Sequence, residues 1–214
     1  MTPSPVEILR QQLREKFPQA HGVRAALEVA EVAEVAGQPI TAETFPVGAI
    51  SEVLPAGAGA GVLLLLAGLL GEPDEVSPHP ELVVVDGADG FDPASYPGKA
   101  CSRVLWVRCN AAMDMLKAAD LLVRDGNVPL VLLDATGLAR RDLAALPTSA
   151  WWRLKQATEH SGCRLVVLAP FPLVASASLR LTLSAELVLG DFDCPRHELL
   201  QRLRTVPQRL RQAT

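Results

Sequence analysis

The 214 residues are 49% apolar and 21% charged, which excludes a disordered chain and allows a substantial buried core. The formal net charge of −4 excludes a uniformly basic nucleic-acid or membrane-binding surface. Charge is nevertheless uneven: residues 195–214 carry Arg196, Arg202, Arg204, Arg209 and Arg211 against one acid, Glu198.

In chain order, residues 6–17 pattern as an amphipathic helix stopped by Pro18, and residues 24–36 as a second helix ending at Gly37. No apolar signal core precedes them, and the most apolar stretch, residues 54–70, is too short and too glycine-rich to span a membrane, so a cytoplasmic protein is expected. Residues 44–48 form a turn into a strand over 49–54. A glycine loop and a helix to about Leu70 come next, closed by Gly71 and Pro73. The continuous apolar run at 81–86 has the character of a strand covered on both faces, 129–134 reads as a buried strand, and 104–108 and 163–169 are further strands. Helices are expected between them at 111–124, where Met115, Leu116, Ala119, Leu122 and Val123 share a face, and at about 149–159. Two more strands are expected at 178–183 and 186–189 as a hairpin-like antiparallel edge, then a helix over 195–212 interrupted by Pro207. Strands alternating with helices give an α/β fold with a mostly parallel sheet flanked by helices. The expected division is an N-terminal helical segment (1–45), a core domain (46–194) and a basic C-terminal tail (195–214).

The residues around which chemistry would be organised are Gly57, Gly59 and Gly61, between a hydrophobic strand and a helix. Strand–glycine loop–helix is the setting in which backbone N–H groups cradle phosphates at a helix N-terminus. Hydrolysis needs more: a lysine for the β/γ-phosphates and a Ser or Thr hydroxyl for Mg²⁺. Whichever glycine ends the loop, the lysine place holds Ala60, Gly61 or Val62, and no register supplies Lys followed by Ser or Thr. Backbone N–H groups alone leave room for weak nucleotide binding. Asp86 and Asp134 end two strands, where open α/β sheets place ligand-binding groups and where turn-forming and helix-capping aspartates are also common. Cys101, Cys109, Cys163 and Cys194 form no CxxC pair and have no histidine at metal spacing, so they are taken as incidental thiols. The four histidines, His21, His79, His160 and His197, assemble no triad, and no metal site is expected. Of the adjacent Trp151 and Trp152, about 100° apart on a helix, one is expected in the core and the other partly exposed.

Several segments resemble the RecA family of recombinase ATPases in order and spacing. Phe45-Pro46-Val47-Gly48-Ala49-Ile50-Ser51-Glu52-Val53 resembles the family's approach to its phosphate-binding loop. Val85-Asp86-Gly87-Ala88-Asp89-Gly90-Phe91-Asp92-Pro93 resembles its Ile-Asp-Ala-Glu-x-x-Leu-Asp-Pro segment, and Val131-Leu132-Leu133-Asp134 its Walker B strand. Ser176-Ala177-Ser178-Leu179-Arg180-Leu181 resembles the strand after its second DNA loop. The resemblance implies a RecA-like P-loop core whose loop is degenerate. It also places Ala88 where the family has its catalytic Glu, Ala169-Pro170 near its polar sensor, and only residues 171–174 in place of the long DNA loop.

This loss pattern is similar to the degenerate RecA-like branch that includes ImuA, an accessory protein of translesion synthesis, and SulA, the SOS division inhibitor. Arg103-Val104-Leu105-Trp106-Val107 and the run over 154–170 favour the ImuA side. The resemblance implies no cofactor and no hydrolysis, and as partners an ImuB-like Y-family polymerase homologue or a RecA filament. Non-specific DNA binding would fall to Arg196, Arg202, Arg204, Arg209 and Arg211. The alternatives are a SulA-like inhibitor of a tubulin-like filament protein and a weak RecA-paralogue NTPase.

Overall fold

The computed structural model describes residues 40–71 and 80–208, all within one compact unit. The helices expected over 6–17 and 24–36 lie outside the described residues, as do Arg209 and Arg211. Seven strands form one sheet: β1 (Ile50–Pro55), β2 (Leu82–Asp86), β3 (Val104–Arg108), β4 (Leu130–Asp134), β5 (Arg164–Leu168), β6 (Leu179–Ala185) and β7 (Leu203–Pro207). Their order is β3-β2-β4-β5-β1-β6-β7. Every neighbouring pair is parallel except β6–β7.

The uninterrupted apolar runs of β2 and β4 follow from burial on both faces, since strand side chains alternate sides. Val83, Val85, Val131, Leu133, Leu165 and Val167 face one core, shared with α3 (Ala112–Asp125) and α5 (Thr148–Ser161). Leu82, Val84, Leu130, Leu132, Val166 and Leu168 face the other, with α1 (Val62–Leu70), α2 (Gly98–Cys101) and α6 (Arg196–Leu200). Ile40 and Phe45 join this second core, so residues just before the expected start of the domain at 46 pack with it. On α3, Met115, Leu116, Ala119 and Val123 are buried, the face its periodicity predicts.

Two local expectations are corrected. Residues 186–189 are not a strand: they lead into a 3-10 turn at Leu189–Asp193, and Leu189 is 90% exposed. The final segment is not an interrupted helix: one short helix, α6, is followed by β7, the antiparallel edge strand. The antiparallel edge therefore exists, but its outer strand comes from 203–207. Pro207 ends that edge strand, where a missing N–H costs little. Between β4 and α5 lies a further short helix, α4 (Arg140–Ala144).

Candidate functional site

The glycine loop leaves β1 at Pro55. Ala56 N–H donates to the Leu183 carbonyl (2.8 Å) and Ala60 N–H to the Gly57 carbonyl (3.3 Å). Gly61 is the N-cap of α1, with a left-handed backbone at φ 87°, and its carbonyl accepts the first helical bond, from Leu65 N–H (2.9 Å). This fixes the register left open by the sequence. Gly61 is the last loop glycine, so Val62 stands in the lysine place and Leu63, 49% exposed, in the hydroxyl place. A helix N-terminus still presents unpaired N–H groups there, but neither Val62 nor Leu63 supplies a charge or a hydroxyl.

Gly61 has a second constraint: a Cβ there would lie 2.5 Å from Leu203 Cδ2 and 3.1 Å from Ala185 Cβ. A Cβ on Gly57 would meet nothing within 4 Å. Gly61→Ala is therefore expected to destabilise the fold by roughly 2–3 kcal/mol, combining a left-handed backbone with overpacking, while Gly57→Ala stays within about 0.5 kcal/mol. Urea unfolding of the two variants compares them. Equal effects would reject the packing role of Gly61.

Asp86 and Asp134 end adjacent strands and pair in register. Asp86 is buried. Its Oδ1 accepts N–H bonds from Ala88 (3.1 Å) and Gly90 (3.0 Å), and its Oδ2 from Phe91 N–H (2.9 Å) and Trp106 Nε1 (3.2 Å). A carboxylate has about four acceptor positions, so this one is fully occupied by its own chain. Burial opposes its charge, but the donors of Phe91, Gly90, Ala88 and Trp106 outweigh it and hold the carboxyl below its ordinary value. Asp134 Oδ1 accepts from the Thr136 N–H (2.9 Å) and hydroxyl (2.6 Å). Its Oδ2 lies 3.9 Å from where a Cβ on Gly90 would stand, so the loop organised by Asp86 runs beside it. Burial, with the nearby Asp86 charge adding to it, raises the Asp134 carboxyl despite the Thr136 bonds.

These opposite shifts predict opposite variant effects. A lowered carboxyl stabilises the fold above the ordinary carboxylate range and loses that contribution as pH falls through its own lower value. A raised carboxyl weakens the fold when ionised, and the penalty is relieved as pH falls through its raised value. At pH 7, Asp86→Asn should cost about 2 kcal/mol, by turning an amide NH₂ towards N–H donors, and Asp134→Asn should stabilise. The gap should narrow as pH is lowered into the carboxylate range. Denaturant titrations at several pH values check the sign.

Beyond Asp86 the chain folds over the start of α1. Tyr96 donates its hydroxyl to the Leu63 carbonyl (3.2 Å), and burial pushes its phenol up to about 12, so it remains a donor. Phe91 stacks on Tyr96 (5.5 Å between centroids) and meets Trp106 edge-on (5.3 Å). Arg196 of α6 lies over the Tyr96 ring (5.3 Å) and donates to the Ser95 carbonyl. An aromatic patch and an arginine from the end of the chain thus sit beside the helix start where a metal hydroxyl ligand would be.

The structure adds a pair that sequence reasoning did not single out. Glu52, fully buried on β1, pairs with Arg180, its cross-strand neighbour on β6. Glu52 Oε1 also accepts the N–H groups of Leu173 (2.6 Å) and Val174 (2.9 Å), and Arg180 donates to the Val174 carbonyl (2.9 Å). The short loop over 171–174 is therefore tied to the sheet by a buried ion pair. The available signal was a glutamate in a strand with Ile50, Val53 and Leu54, where a buried charge requires a partner.

Among the described residues, the three C-terminal arginines are each engaged within the chain. Arg196 is engaged as described, Arg202 pairs with Asp191 (2.7 Å), and Arg204 donates to the carbonyls of Gln201 (2.7 Å) and Leu203 (3.1 Å). Trp151 is buried, whereas Trp152 is exposed with the Lys155 ammonium 5.1 Å from its ring centroid. The four cysteines are free thiols. Among the described residues no three His, Cys, Asp or Glu side chains are grouped to hold a metal, and no helix is long and apolar enough to cross a membrane.

No family model matches the chain, and no curated protein matches it. Among solved structures, the crystal structure of the RadB recombinase is similar, with a TM-score of 0.54 at 16% sequence identity, over 78% of this chain and 83% of that one. With the mostly parallel seven-stranded sheet and its flanking helices, this likeness gives the chain a RecA-like recombinase fold.

Proposed function

We propose that this chain is a non-hydrolysing RecA-like accessory protein of damage-induced translesion DNA synthesis, of the ImuA-like branch. It would act by binding an ImuB-like Y-family polymerase homologue or a RecA filament. One observation carries the non-hydrolytic part: the polar groups of the nucleotide site are either missing or turned inward. Val62 and Leu63 open the helix, Asp86 has its acceptors filled, and Asp134 is bonded back to Thr136. With both oxygens filled by its own chain, Asp86 neither holds Mg²⁺ nor polarises water. The ImuA-like assignment rests on the order of the motifs, on the Arg-Val-Leu-Trp-Val strand and on the run over 154–170.

Purified protein is expected to turn over no ATP above background, with or without single-stranded DNA. Turnover abolished by Gly61→Ala but retained in Gly57→Ala at a temperature where both are folded would reject the reading. For the partner, immobilised full-length chain is presented with an ImuB-like homologue, with RecA filaments and with a tubulin-like division protein from the same organism. Retention of either of the first two is expected. Selective retention of the third would replace the proposal with a SulA-like inhibitor.

A further inference from the structure

Among the described residues Arg153 is the one arginine with no ion-pair, hydrogen-bond or aromatic partner. It lies on α5, with Gln156 and His160 three and seven residues further on, so the three polar side chains share one helix face. Gln156 and His160 are likewise exposed and unpartnered. Across from them, near the end of α3, stands Arg124. Its Nε pairs with Asp120 Oδ2 (3.0 Å). Arg124, Arg153, Gln156, Ala157 and His160 line a groove of about 320 Å³, floored by the small, buried Ala157.

We propose that this α3–α5 groove binds a phosphate ester. Two guanidinium forks match the oxygens of a phosphate, and the Gln156 amide and His160 imidazole offer further hydrogen-bonding groups. Asp120 pairs with Arg124 and Glu159 with Lys155, which leaves Arg153 as the groove arginine with no acidic partner. The volume exceeds a bare phosphate and accommodates an attached sugar. Such a group arrives either on a nucleic-acid backbone or as a small free phosphate. The groove lies on the opposite side of the sheet from α1 and from α6, so the proposal is independent of the degenerate nucleotide site and of the C-terminal arginines.

The test uses the full chain, the double variant Arg124→Gln/Arg153→Gln, and a control, Lys99→Gln/Arg141→Gln, that removes the same charge away from the groove. Glutamine keeps helix propensity close to that of arginine, and thermal unfolding by circular dichroism verifies that all three are folded. Anisotropy of a fluorescent single-stranded DNA oligonucleotide is measured across a salt series, and calorimetry is run with inorganic pyrophosphate and with AMP. A backbone ligand predicts at least about a tenfold loss of oligonucleotide affinity in the groove variant, and a log–log salt slope shallower by about 1.4, with the control unchanged. Pyrophosphate or AMP binding that the groove variant alone loses, without oligonucleotide binding, supports a free phosphate as the source. Equal losses in groove variant and control, unchanged binding in the groove variant, or no binding of any probe by the full chain would overturn the proposal.

Discussion

A chain stopped after Cys194 is expected to yield no soluble folded protein, although the sequence alone presents residues 195–214 as a detachable basic tail. The missing piece contains β7, which pairs with β6 from Leu181↔Pro207 to Ala185↔Leu203. It also contains Leu199 and Leu203, both buried in the core on the α1 side of the sheet, and Thr205, buried on the edge strand. Leu203 packs directly on Gly61, and Leu200 approaches Gly68 of α1. Losing two buried leucines forfeits roughly 3–6 kcal/mol of apolar burial, and each backbone bond of the ladder adds about 1 kcal/mol. Removal also exposes Leu181 and Leu183 on a new sheet edge, a template for aggregation. Against a total stability of about 5–15 kcal/mol, that is enough to unfold the domain. A stop after Gln208 keeps β7 whole while deleting Arg209 and Arg211, and should express and melt like the full chain. Comparing soluble yield and thermal unfolding of the two truncations decides the matter. A folded, monomeric protein ending at Cys194 would show that β7 is dispensable. The Gln208 form is also the right reagent for asking whether the last arginines touch DNA, since it removes charge without removing core.

Arg180→Met should be among the most damaging single substitutions, at about 3–5 kcal/mol. The methionine leaves Glu52 fully buried with only the N–H groups of Leu173 and Val174, and it strips the Val174 carbonyl of its donor. In a domain of this size the loss lowers the melting temperature by roughly 10 °C. Replacing both partners, Glu52→Leu with Arg180→Met, should cost less than Arg180→Met alone, because no uncompensated charge remains. Urea unfolding of the single and double variants completes the cycle. Additive losses would mean the two residues act independently of one another. Hydrogen exchange over 171–174 gives a local readout: those amides should lose protection in Arg180→Met before β1 does.

The sequence by itself determined the strands of the central sheet. β2, β4 and β5 are short β-branched and leucine runs with no polar face, which only a sheet covered on both sides accommodates. It also determined α3 and α5, whose apolar residues recur at helical spacing, and the glycine loop between a strand and a helix. The site residues were half legible. That Lys and Ser or Thr are missing can be read from the letters, but which residues stand in their places required the left-handed Gly61 that fixes where α1 begins.

Tertiary structure alone decided the end of the chain. Leu199, Leu200, Leu203 and Val206 satisfy a helical pattern, while Leu203-Arg204-Thr205-Val206-Pro207 also alternates as a strand, and five residues are too few to separate the two periods. The open position beside β6 resolves the ambiguity: a sheet edge offers backbone partners, and the alternation places Leu203 and Thr205 inward. The same edge explains residues 186–189. Glu186-Leu187-Val188-Leu189 has the composition of a strand, but β7 takes the only position that could pair it with β6, since β1 lies on the other side. Partner choice likewise decided Glu52 and Arg180. They are 128 residues apart, and only the parallel register of β1 with β6 brings the two charges face to face. Local pattern sets an element's type where its burial is uniform; at an edge, or for a buried charge, the neighbour supplied by the fold decides.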